Sequence, residues 1–544
     1  MRWSALVWLL LLVGCQARTD HTLLGSTTPR WGGTLRVPNQ DDFRTLDPAI
    51  GYDEVTSFGI HSLFNTLVNY DASLNIVPEL AERFELSPDG LVYTFWLHHG
   101  VLFHNGREMT AVDVSYALHR ILDPQVPCPG AAYYRKIKGA GPFTEGKTDH
   151  IEGIQVLDPY TLQITLEGVD MTFLKALALP FAAPIPKEEV ERWGDQFGRH
   201  PVGTGPFVLK EWRSDEIVIF ERNNHYWEEG LPYLDRIEFL PGYSREVAFL
   251  KFESGEVDQL DRLTSPDYLW VISNPELKKL LLTGPAMDFM GEQMNTEMPP
   301  FDNKKFRQAL NYAVNKQVQI KLRNNRYEEA RGPLPPQLPG FDDTLVGYPY
   351  NLEKAKKLMA EAGYPNGYPG RITYWTPVSE ASIQLSQALQ QDLKAVGVDM
   401  EIKLVDFPTY LTASGRRGTV AFSYGAWLMD FPDPSNFLIP LFHSMNATDE
   451  NATNGSFYVN PHVDELLELG QKEVDPVRRL EYYREVQRIV VDDAPYIFEY
   501  HQLKTEMVQP WVKGYRLETV WPRNFRTTWL DLPGTRDTPP ARSP

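Results

Sequence analysis

Residues 371–404 carry the pattern that most narrows the choice of fold. A short apolar run from Arg371 to Trp375 is followed by Leu385, Ala388, Leu389, Leu393 and Val396 at helical spacing; Gly397 then breaks the period. Immediately afterwards Val398, Met400, Ile402 and Leu404 alternate with polar residues. A strand, a helix and a second strand joined by short connections are most simply a parallel pair with a crossover helix. The predicted fold class is therefore α/β.

The same two periods recur along the chain. Tyr93, Phe95 and Leu97 share one face of a predicted strand, as do Leu162, Ile164 and Leu166. Between these strands, Thr110 to Asp113 has the form of a capping box ahead of a helix bearing Val114, Ala117, Leu118, Ile121 and Leu122. Two further helices carry Phe306, Ala309, Leu310, Ala313 and Val314, and Leu352, Ala355, Leu358, Met359 and Ala362, the latter bounded by Asn351 and Gly363. There is no short repeat of the kind that builds solenoids. The proline- and glycine-rich stretches 331–339 and 364–370 read as loops within the second half, and the chain as two α/β lobes.

The chain opens MRWSALVWLLLLVGC, a positive residue followed by an apolar run too short to span a bilayer, which takes about 20 residues. Residues 1–14 are expected to be a secretory signal, Cys15 the lipidated residue after cleavage, and 15–30 a flexible tether. No later stretch has the apolar length of a membrane helix, so lipid would be the only membrane attachment of an exported protein. Cys15 and Cys128 are the only cysteines, which rules out a disulfide framework and leaves stability to burial. A formal charge of -19 argues against nucleic acid and anionic membrane surfaces as partners. Residues 531–544 read as a disordered tail.

The stretch GAWLMDFPDPSNF, residues 425–437, places Asp430 and Asp433 among Trp427, Met429, Phe431 and Phe437. A partly dry carboxylate needs a cationic partner, whether a proton, a metal or a ligand ammonium. Catalytic signatures are lacking: there is no HExxH, GxSxG or Walker sequence. His98 and His99 point to opposite faces of a strand, and Asp492 and Asp493 precede Ala494-Pro495 without a catalytic setting. The sequons at Asn446 and Asn454 suggest surface loops. Gly203 and Gly205 suggest backbone angles closed to other residues, and Arg307, beside the apolar stripe of its helix, an ion pair.

Several blocks in order resemble the family 5 extracellular solute-binding proteins, the dipeptide and oligopeptide receptors of ATP-binding cassette importers. They include IVPELAERFELSPDGLVYTFWLHHGVLFHNGREMTAVDVSYALHRILDP (76–124), VGTGPFVLKEWRSDEIVIFERNNHYW (202–227), MNTEMPPFDNKKFRQALNYAVNK (294–316), NLEKAKKLMAEAGYPNG (351–367), the 425–437 stretch and VQRIVVDDAPYIFEYH (486–501). The resemblance implies a two-lobe Venus-flytrap receptor, with lobe I at 31–285 and an inserted subdomain at about 69–186, lobe II at 286–497, and a return to lobe I over 498–530. It implies a binding protein without cofactor or catalysis, an exported and lipid-anchored monomer that passes a small solute, a di- or oligopeptide, to separate permease and ATPase subunits. In peptide-binding relatives the aspartate matching Asp430 holds the ligand ammonium. Arg416 and Arg417 lie where an arginine could take the carboxylate, although Tyr424 stands where some relatives have arginine. Trp427, Tyr424 and Tyr500 are the aromatic residues expected near the cleft. Alternative readings are the same receptor role for an oligosaccharide, an opine or a nickel complex, and a lipid-anchored enzyme on a binding-protein scaffold.

Overall fold

The computed structural model describes residues 23–520 and 523–540, so the predicted signal segment and Cys15 lie outside the described residues. Near the N-terminus, the strand Thr34–Pro38 runs parallel to Arg236–Leu240, and Ile217–Arg222 and Phe207–Arg213 extend the sheet antiparallel. Leu35, Val37, Phe58, Phe220 and Phe239 close the core beneath it.

A second antiparallel sheet, in the order Ala81–Leu86, Val92–Leu97, Thr161–Thr165, Ile154–Asp158, is embedded between the strands of the first. Its inward face is the predicted one, with Tyr93, Phe95, Leu97, Leu162 and Ile164 buried. The helix Ala111–Leu122 covers that face, and the Asp113 carboxylate accepts the Thr110 backbone N–H at 2.8 Å as the capping box requires. Such a cap stabilises a helix by about 1 kcal/mol. Buried residues from Leu67 to Ala182 share one core, which Phe431 joins from a distant part of the chain.

The largest sheet runs Gln259–Leu260, Tyr496–Val508, Asp288–Met294, Phe422–Leu428, Arg371–Pro377, Asp399–Val405. Arg371–Pro377 and Asp399–Val405 are parallel and in register from Arg371 with Asp399, and the helix Glu380–Lys394 between them buries Leu389 and Leu393. Gly397 turns the chain at φ +78°, and a Cβ there would lie 2.6 Å from the Gly367 Cα.

The long strand Tyr496–Val508 belongs to both halves. Its first residues pair with Asp288–Met294, and its last with Leu281–Pro285 and Gln259–Leu260. Where the two crossing segments meet, Ala286 N–H donates to the Gln502 carbonyl at 2.9 Å and Gln502 N–H to the Asp288 carboxylate at 2.8 Å. Two lobes joined by a pair of crossing strands form a two-lobe binding-protein architecture.

Several expectations change. The part of the expected disordered tail among the described residues is held in place: Trp31 and Arg536 form an antiparallel bridge, the Arg30 side chain holds Thr535, and Gly25 N–H donates to Asp531 at 2.9 Å. The same contacts tie down the end of the expected tether. Polar composition concealed this because main-chain pairing needs no apolar pattern. Arg307 makes no ion pair among the described residues; it is buried and donates to the carbonyls of Phe301 (2.7 Å) and Asp493 (2.6 Å). The Asn454 sequon is buried too, its amide donating to the Tyr458 carbonyl at 2.9 Å.

Gly203 and Gly205 are required by proximity, not by dihedral angle. Neither has a positive φ, but a Cβ would lie 2.2 Å from the Leu63 carbonyl oxygen at Gly203 and 2.3 Å from the Leu63 carbonyl carbon at Gly205. Backbone cannot yield as a side chain can, so we expect Gly205→Ala to destabilise by about 1–3 kcal/mol. Gly168→Ala, where no atom lies within 4 Å of the added carbon, should stay within about 0.5 kcal/mol. Urea unfolding followed by tryptophan fluorescence separates the two.

Candidate functional site in the interlobe cleft

The crossing strands form the floor of a cleft of about 1910 Å³. Met287, Asp288, Gln502 and Leu503 line that floor; Tyr52, Glu54, Phe181 and Arg262 come from one side, and Arg323, Tyr327, Trp427 and Asp430 from the other. The cavity exceeds the roughly 300–1,000 Å³ of ordinary small-molecule pockets.

Asp430 reaches this wall because the strand Phe422–Leu428 pairs with Asp288–Met294, Leu428 opposite Asp288, and so ends level with the floor. Met429 N–H donates to the Met287 carbonyl at 2.9 Å, and Pro432 and Pro434 then prevent the strand from continuing. Asn436 fixes the turn, accepting the Asp430 N–H at 2.8 Å while its amide donates to the Asp430 carboxylate at 3.2 Å. Two hydroxyls from the other side complete the surroundings, with Tyr52 donating to one carboxylate oxygen and Tyr133 to the other at 2.6 Å. Burial and the Asp430 charge both push these phenols up, so they remain protonated donors. No cationic side chain lies within 4 Å of Asp430 among the described residues. Its charge therefore rests on neutral donors, and each phenol, with its O–H directed at the carboxylate, still has acceptor lone pairs.

Asp433 has the opposite fate. Fully buried, it receives both terminal nitrogens of Arg479 at 2.8 Å and Lys175 Nζ at 2.6 Å, and it accepts the Ser435 N–H at 3.0 Å where the following helix begins. Burial alone would raise its pKa, but Lys175 and Arg479 outweigh it and hold the carboxyl well below the usual range. These ion pairs bridge the embedded subdomain to the second lobe. Between the two aspartates, Phe431 inserts into the core of that subdomain and meets Tyr133 edge to face at 5.5 Å.

The other residues singled out in the sequence fall variously. Trp427 lines the cleft, and its indole N–H has no hydrogen-bond partner among the described residues. Tyr424 and Tyr500 lie behind the wall, and the Tyr500 hydroxyl accepts from Arg323 Nη2 at 3.0 Å. Arg416 and Arg417 are corrected: they are absent from the lining and pair at the surface with Glu450 (2.8 Å) and Asp449 (2.8 Å). The resemblance had suggested a role, but the strand from Phe422 carries the chain away from them to the cleft. His98 stacks on Trp227 and His99 on Tyr160.

Sequence reasoning missed Tyr52, Tyr133 and Arg323, which sit in unrelated stretches without a motif. A faint signal exists for Arg323: Asn324 and Asn325 follow it, both at positive φ, a conformation asparagine tolerates better than most residues. They end the helix Lys316–Leu322 and aim Arg323 at the cleft before the strand Tyr327–Glu329 joins Tyr496–Val508.

A two-lobe protein with a large cleft at its crossing strands has the architecture of a solute-binding protein. The profile of the bacterial extracellular solute-binding proteins, family 5 (middle region) matches residues 75–449, and the chain belongs to this family. Heme-binding protein A of Haemophilus influenzae is 32% identical over 484 residues, covering 85% of this chain and 86% of that protein. The glutathione-binding protein GsiB of Salmonella typhimurium is 31% identical over 462 residues, covering 84% and 86%. Among solved structures, the periplasmic binding protein DppA of Helicobacter pylori in complex with the peptide STSA superposes with a TM-score of 0.77 at 28% identity, covering 92% of this chain and 99% of that one. Family 5 proteins are periplasmic or exported components of ATP-binding cassette importers, and these relatives bind substrates rather than transform them. No helix among the described residues is long and apolar enough to cross a membrane.

The Asp433 cluster yields a test. Removing one partner of a buried ion pair costs about 3–5 kcal/mol, so Asp433→Asn should lose that much at neutral pH. Because its folded pKa is depressed, Asp433 stabilises fully above the ordinary carboxylate range and progressively less as pH falls below it. Stability measured by urea unfolding between pH 7 and pH 2 should therefore fall more steeply on the acid side in the wild type than in Asp433→Asn.

Proposed function

We propose that this protein is the lipid-anchored receptor of a peptide importer, attached through Cys15 and passing its ligand to a membrane permease driven by separate ATPase subunits. Lobe I comprises residues 31–285 and 498–530, lobe II residues 286–497, and the receptor acts as a monomer. The observation that carries the reading is the Asp430 carboxylate: negative, facing the cleft, and balanced only by neutral donors. A ligand ammonium supplies the missing charge, and its three N–H groups match the acceptors offered by the carboxylate and the two phenol oxygens. A neutral sugar offers no such complement, which disfavours the oligosaccharide alternative. Relatives named for peptide and glutathione binding support a ligand with a free amine.

Melting curves of the purified protein with di- to pentapeptides, glutathione, oligosaccharides and nickel chelates test the reading. A ligand at 100 times its Kd stabilises by about 2.7 kcal/mol. Free-amine peptides should raise the midpoint. N-acetylation of the peptide, or Asp430→Asn in the protein, should weaken binding at least about tenfold. If sugars or chelates shift the midpoint and no peptide does, the peptide assignment falls. For the anchor, we expect palmitate labelling and membrane sedimentation in the wild type, and neither in Cys15→Ser.

A further inference from the structure

The embedded subdomain and the second lobe are joined a second time, away from the crossing strands, by residues 430–433. Phe431 leaves the second lobe and lies, 3% exposed, in the core of the subdomain, edge to face with Tyr133 at 5.5 Å. Lys175 of the subdomain donates to the Asp433 carboxylate at 2.6 Å and to the Pro432 carbonyl at 3.0 Å. The Tyr133 hydroxyl reaches Asp430 at 2.6 Å, and Met171 N–H donates to the carbonyl of Gln471, in the last turn of the helix Pro461–Lys472, at 3.0 Å.

The join divides along the boundary between the two bodies. Asp433 receives both terminal nitrogens of Arg479 from within the second lobe, so its buried charge is balanced there already. Lys175 is a second cation, its side chain 22% exposed, and it can turn to water without leaving a buried carboxylate unpaired. Tyr133 can likewise exchange Asp430 for water. Phe431 is a lone aromatic side chain whose burial stabilises only while the two bodies touch. Each of these contacts is made between protein atoms, and none requires an atom of a solute. The seam therefore consists of contacts that separate one by one and re-form unaided, unlike the continuous ladder of Tyr496–Val508.

We propose that residues 430–433 are a latch: Phe431 as plug and Lys175 on Asp433 as clasp hold the second lobe on the embedded subdomain whether or not a solute is bound, and solute enters through the fraction of molecules in which the latch is undone. One short stretch then serves two purposes, Asp430 facing the cleft while Phe431 and Asp433 engage the subdomain. Such a device governs rates more than affinity. Loosening it quickens capture and release together, because both pass through the unlatched form.

Small-angle X-ray scattering and stopped-flow tryptophan fluorescence of the purified protein test it, with the peptide STSA, tetraalanine and glutathione as probes. The wild type should keep one radius of gyration with and without a saturating probe. Phe431→Ala and Lys175→Met should each be larger without a probe and shrink to the wild-type size when one binds. Association and release should both be about 3- to 10-fold faster in Lys175→Met, with Kd changing less than either rate. Lys175→Met leaves the Asp433–Arg479 pair whole, which covers the case of a Phe431 variant that folds poorly. A wild type that shrinks when a probe binds overturns the proposal. So do folded variants with wild-type dimensions and wild-type rates, since the seam is then a fixed part of the structure. Scattering without a probe involves no solute: variants that expand while no peptide binds would uphold the latch and sink the peptide reading.

Discussion

The main-chain ladder of Tyr496–Val508 is the constraint on which the rest of the molecule depends. Buried backbone groups must be paired, and this strand pairs with Asp288–Met294 at one end and Leu281–Pro285 at the other. One continuous set of hydrogen bonds therefore serves both lobes. The cleft lies where the ladder changes partners, so Met287, Asp288 and Gln502 are at once crossing point and floor. Any change in the angle between the lobes would pass through residues that line the cleft.

Charge is distributed around that floor by a simple contrast. Asp433, Arg479 and Lys175 satisfy one another in a cluster centred on the fully buried carboxylate and so contribute to assembly. Asp430, three residues earlier, and Arg323, on another connection, are left with neutral partners and contribute to the cleft. Two aspartates in one short stretch thus part company through their surroundings alone. Phe431 makes the separation possible, because its insertion into the core of the embedded subdomain fixes one carboxylate on each side of it.

The secondary structure was largely legible because it rests on periodicity, which is local. The unit from Arg371 to Val405, the strand faces of Tyr93 and Leu162, and the caps at Thr110 and Asn351 follow from residue spacing. Of the residues that line the cleft, Asp430 and Trp427 were the ones a motif marked. Arg416 and Arg417, suggested by the resemblance to relatives that take a carboxylate with arginine, have their charges met at the surface by Glu450 and Asp449. The order of residues 531–540 was hidden for the converse reason, since backbone pairing with Trp31 leaves no compositional trace.

The sequence by itself determined the α/β class, the elements and their buried faces, the absence of a disulfide framework, and the presence of a carboxylate among aromatic residues. Tertiary structure alone decided which charges are spent and which remain available. Tyr52, Tyr133, Lys175 and Arg479 are remote from residues 430–433 in the chain, and Tyr500 is remote from Arg323; whether an ionised group meets an opposite charge or a neutral hydroxyl depends on contacts a few ångströms long between such distant segments. Periodicity records which face of an element is buried, and carries no record of what stands opposite.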